Sequence, residues 1–167
     1  MSMILVEISH NSRKSMQDIV EVMKMEQDIS MLNSIRKATQ MGCYGIQSVL
    51  DETSNRDIRK ELNSEYREYS LIFNQADMLL QERGSKGKNV HPLAKMGSAM
   101  SSKMKVRASR EPVSKIAELM VQGNTRGMIK SMHNIRNMGV LDPKVSSLAN
   151  RLLQSEQANI DSMKQFL

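Results

Sequence analysis

The stretch "LLQSEQANIDSMKQFL" places Glu156 three residues ahead of Asn159. In helical bundles that bind two irons, a Glu followed three positions later by His sets two metal ligands on one helix face. Here an amide stands where the imidazole belongs, and Glu65 is likewise followed three residues on by Glu68 instead of His. A di-iron centre takes about four carboxylates and two imidazoles from four helices. The positions that periodicity turns inward supply Glu65 and Glu156, with Thr39, Asn124 and Asn159 as the remaining polar groups. Amides are weak ligands, so no metal and no other cofactor is expected. If iron or manganese is held at all, its donors are Glu65, Glu68 and Glu156. Of the three histidines, His10 precedes the bundle, His91 falls in a linker and His133 falls beside an inward stripe.

Without a metal, the same residues read as a polar layer inside the core. A buried ionised carboxylate is costly unless partnered, so Glu65 and Glu156 must either hold their protons or accept hydrogen bonds from Asn159, Asn124 or Thr39. Such a layer would fix helix register. Two alternatives stay open: a one-residue shift of the stripe would put both acids at the rim in water, and a single-metal or other ligand site would use the same groups. Cys43, in "MGCYG", has no neighbouring His or second Cys and reads as a small packed thiol. Gly42 and Gly127 fall on inward stripes, where they suggest two backbones drawing close, with a ligand pocket as the other use of the space. No phosphate-binding Gly-rich loop, Ser-His-Asp pattern or zinc spacing occurs.

These groups require helices with one inward stripe each, and four segments have that period. The first carries Leu32, Ile35, Thr39, Ile46 and Val49 and ends near "DETSN". The second starts after Asn55, an N-cap with Asp57 in the first turn, carries Ile58, Leu62, Glu65, Tyr69 and Ile72, and stops at Gly84. Pro112 opens the third, which runs through Ile116, Met120, Asn124 and Ser131 to Gly139. Asp142 and Pro143 open the fourth, with Val145, Leu148, Leu152, Glu156 and Met163. Short links join the first two and the last two into antiparallel hairpins, and residues 84–111 join the hairpins. The chain therefore reads as all-α, a ferritin-like four-helix bundle over 29–167 with one long crossover. Residues 1–28 form an N-terminal extension, in which Met16–Asp28 reads as a separate short amphipathic helix with Ile19, Val20 and Met23 on one side.

At 167 residues the chain suits one such domain. It has no Trp and few other aromatics, but 16 Met, which fill irregular gaps between helices. A single cysteine excludes an intramolecular disulfide. The opening "MSMILVEISHNSR" has too short an apolar run for a signal peptide, and no stretch reaches membrane-spanning length, so a soluble cytoplasmic protein is expected. The net charge of +6 is unevenly placed: residues 83–110 hold eight bases and no acid, leaving 16 bases against 18 acids elsewhere. Within that crossover Lys95, Lys103, Lys105, Arg107 and Arg110 could bind nucleic acid or an anionic membrane face. No aromatic interleaves them, which argues against base reading. The favoured alternative is a solvated connection with Leu93, Met96, Met100 and Met104 against the bundle, its charge available to a second copy.

"QMGCYGIQSVLDETSNRDIRKEL", "SKIAELMVQGNTRGMI" and "VSSLANRLLQSEQANIDSMKQFL" resemble the small uncharacterised ferritin-like bundle proteins of bacteria, clostridia and other Firmicutes among them. The likeness runs from Ile29 to Leu167, and the first stretch is also similar to CotF-type spore-coat bundles. It implies the four-helix fold, no assigned activity, and a spore or envelope association. The function expected is that of a non-enzymatic structural or interaction protein with a protein partner or a second copy. The rivals are a metal-binding oxidative bundle and an electrostatic binder.

Overall fold

The computed structural model describes residues 2–89 and 101–167, with side chains from residue 16 onward. They form α1 (Ser2–Leu50), α2 (Arg56–Glu82), α3 (Pro112–Asn137), α4 (Pro143–Met163) and a closing 3-10 turn, Lys164–Phe166. Residues 101–107 of the crossover are helical too, and no strand occurs among the described residues.

The helix ends follow local chemistry. Asn55 Oδ1 accepts from the amides of Asp57 and Ile58 at 3.0 and 3.2 Å, meeting two of the orphan donors that open α2. Gly84, at φ +65°, ends it in a conformation that favours glycine. Pro112 and Pro143 each occupy a first helical turn, and Asp142 Oδ1 accepts from Lys144 N at 2.8 Å. Arg59 donates to the carbonyls of Leu50 and Thr53, closing α1.

Packing sets α1 beside α2 and α3, and α4 beside both of those as well. Contacts at the two ends fix the directions. Arg83, just past α2, pairs with Asp28 of α1 and with Asp142 at the head of α4, at 3.2 and 3.6 Å. Asn134 of α3 donates to Ser34 of α1, and Asp142 N donates to Asp28 Oδ1 at 2.9 Å. So α2 and α3 both rise toward the Asp28 end while α1 and α4 descend from it. The crossover must then return the full length of the stack. It starts along α1, where Lys88 N donates to Asn33 Oδ1 at 2.7 Å, and finishes at the opposite end, where Arg107 grips Glu52.

One core joins the four stripes: Leu32, Ile72, Leu80, Ile116, Leu148 and Leu152 are almost wholly buried, each burial contributing about 1.5–3 kcal/mol.

The separate helix expected at 16–28 is not separate. No Gly or Pro lies between residues 2 and 41 to break the ladder, and α1 continues as one helix of 49 residues, roughly 74 Å. Its partner α2 has 27 residues, roughly 40 Å. Residues 16–26 are exposed throughout, and burial begins with Gln27 and Asp28. Met16, Ile19, Val20 and Met23 share one face of this projecting arm, exposed by 55–65%.

Candidate functional site

Midway along the apolar core, each helix contributes a polar group. Glu65 of α2 and Glu156 of α4 are 3% and 2% exposed, and Thr39, Asn124 and Ser131 are buried with them. Both acids therefore lie inside and not at a wet rim. Asn159 is half-buried, its amide nitrogen enclosed.

The hydrogen bonds differ from those the sequence suggests. Thr39 turns back on its own helix, donating within reach of Ile35 O (2.9 Å) and Arg36 O (3.1 Å). Tyr69, one turn beyond Glu65, donates to Asn124 Oδ1 at 2.6 Å. Both oxygens of Glu65, Oε2 of Glu156 and the amide nitrogens of Asn124 and Asn159 have no partner. Burial pushes the Glu65 carboxyl up to about 7; Asn124 and Tyr69 lie close enough to oppose this in part, without completing a hydrogen bond of normal geometry to it. Glu156 is also pushed up to about 7, by burial first, with Ser131 opposing and the Glu65 charge adding. Burial and the two neighbouring carboxyls raise the Tyr69 phenol well above its usual range. Among the described residues no base contributes to the state of either acid.

The layer floors a cavity of about 450 Å³ between α1 and α3. Glycines shape it, though not by drawing backbones together as their spacing suggests. A Cβ at Gly42 would strike the Tyr69 ring, and one at Gly127 would strike the Glu156 carboxyl, so each glycine admits a polar side chain from a facing helix. Gly45 and Gly123 have open space before them. Lys37, Lys105, Arg126 and Lys130 line the same cavity and are exposed, which places them at its mouth.

Other candidate residues are committed elsewhere. Glu68 forms a paired contact with Arg151 of α4, at 2.8 and 3.0 Å, so Glu65, Glu68 and Glu156 are not assembled as a donor set. Glu65 and Glu68 lie three residues apart on α2, but Glu68 sits on the outer seam with α4. No group of three or more His, Cys, Asp and Glu is placed to hold a metal among the described residues. His133 is exposed; His91, Lys95 and the side chain of His10 lie outside the described residues, as do Leu93, Met96 and Met100. Lys103 and Arg107 both reach Glu52, whose pKa Arg107 lowers, while Met104 and Arg110 are exposed. Cys43 is half-buried with its thiol pushed up by burial, 3.9 Å from Ser70 Oγ. Tyr69 is the layer member that sequence reasoning passed over, since it sits on an inward stripe as any aromatic would; its signal was the glycine opposite.

No helix among the described residues is long and apolar enough to cross a membrane. No protein-family model matches the chain, and no curated protein matches it. Among solved structures, the crystal structure of a DUF305 fragment from Deinococcus radiodurans is similar, with a TM-score of 0.66 at 13% identity over 83% of this chain and 93% of that one. At that identity the likeness concerns the helical fold alone.

Proposed function

We propose that this chain is a non-enzymatic interaction protein, a ferritin-like four-helix bundle without the di-iron ligand set, that pairs through the arm of α1 with a second copy of itself. The arm carries this reading. It leaves Met16, Ile19, Val20 and Met23 on one face, each more than half exposed among the described residues. Two identical apolar stripes are self-complementary about a two-fold axis, which makes a second copy the simplest occupant. The parallel run of α2 and α3, with a crossover along the full stack, supports the ferritin-like arrangement. The resemblance to bacterial bundle proteins and CotF-type coat proteins fits a cytoplasmic or spore-associated structural role.

The two rivals have less behind them. A metal centre built on Glu65, Glu68 and Glu156 needs Glu68 to leave Arg151. An anionic partner on the crossover competes with Glu52 for Lys103 and Arg107. Light scattering after gel filtration tests the reading. The wild-type chain should run as a dimer at micromolar concentration, and Ile19→Glu with Met23→Glu should run as a monomer with an unchanged melting temperature. A wild-type monomer overturns the proposal.

A further inference from the structure

The floor of the α1–α3 cavity holds two carboxyls and, among the described residues, no counter-charge. Glu65 has both oxygens buried and unpartnered, and Glu156 adds Oε2. Asn124 spends its oxygen on Tyr69, which leaves only neutral amide N–H groups nearby. Neutral donors can solvate an acid, but they cannot balance its charge in a low-dielectric interior. Gly127 is kept bare where any side chain would displace the Glu156 carboxyl, so the fold makes room for an acid it does not neutralise.

We propose that this cavity is a binding site for a small zwitterion, with a primary ammonium seated on Glu65 and Glu156, an apolar middle, and an anionic group at the mouth. An ammonium carries three donors and the missing positive charge, so it meets both deficits of the floor at once. A divalent ion fits less well, because it asks for about six oxygens and the Asn124 oxygen is already taken. Between floor and mouth the mixed walls include Met31, Ile35, Leu119, Met120 and Ile135, an apolar portion that suits a methylene chain. Lys37, Lys105, Arg126 and Lys130 at the mouth repel a second cation and attract a carboxylate or phosphate. A space of about 450 Å³ lies in the range of small-molecule sites. The cavity lies within one chain and away from the arm, so this inference stands or falls separately from dimer formation.

Titration calorimetry of the full chain tests it with aminohexanoate, aminohexyl phosphate, hexanoate and diaminohexane. The two zwitterions should bind saturably, one per chain, and whichever is tighter identifies the anion. Hexanoate and diaminohexane should bind at least about tenfold more weakly, a difference of about 1.4 kcal/mol. Glu65→Gln with Glu156→Gln should abolish the heat. Gly45→Phe, at a cavity-lining position where an added Cβ meets nothing within 4 Å, should abolish it too, and circular dichroism melts verify that both variants fold. The proposal is overturned if no zwitterion binds at millimolar concentration, or if the variants bind as the wild type does. It is also overturned if manganese or iron displaces the zwitterion and is itself lost with Glu65→Gln.

Discussion

Raising the pH from about 5 to about 8 should weaken this fold, the reverse of the trend for a protein held by ionised carboxylates. Glu65 and Glu156 sit at about 7 in the native state, against 4.5 for an unperturbed Glu. Between those values the folded chain retains protons that the unfolded chain has released. Their penalty is therefore absent below the unfolded value, grows as pH rises through the window, and is complete above the folded value. The displacement is worth about 3 kcal/mol for one carboxyl, and on the order of 5 kcal/mol for two whose mutual repulsion is counted once. The assay is urea unfolding followed at the helical ellipticity band, at a series of pH values across the window, for the wild type and for Glu65→Gln with Glu156→Gln. Glutamine keeps the shape and does not titrate, so any constant packing error cancels in the slope. The variant should gain on the wild type by several kcal/mol between the two ends of the range. A difference flat to within about 1 kcal/mol would refute the assignment of these acids to an uncompensated interior.

Two further outcomes test the packing. Gly127→Ala should lose about 1–3 kcal/mol through displacement of the Glu156 carboxyl, outweighing the propensity gain, whereas Gly123→Ala, facing open space, should gain up to about 1 kcal/mol; thermal melts compare them. Arg83→Met should cost about 3 kcal/mol in urea unfolding, because it strands the buried Asp28 carboxylate, and a loss under about 1 kcal/mol would mean that Asp28 is satisfied without it.

The stripes were legible because burial obeys the helical period: every inward position named on α2, from Ile58 through Glu65 and Tyr69 to Ile72, is buried. Caps were legible for the same kind of reason, since Asn55 and Asp142 carry the side-chain acceptors that helix starts need. The continuity of α1 was not, because a change of amphipathic face near residue 28 looks like a helix boundary when the backbone in fact runs on unbroken. The site was half visible. Glu65, Asn124 and Glu156 could be placed by period alone, but Thr39 finds acceptors on its own backbone, a choice no spacing reveals. Nor does a one-dimensional pattern say that Glu68 meets Arg151, or that a glycine faces a phenol ring instead of another backbone.

The run from residue 16 to 26 is exposed at every position, so little packing holds its shape. An isolated stretch of that length is marginally helical in water, so its order propagates upward from the anchored turn at Asp28. Stiffness in this lever is accordingly borrowed from the anchored turn at its base, and whatever clasps its greasy side adds a second hold on the same winding.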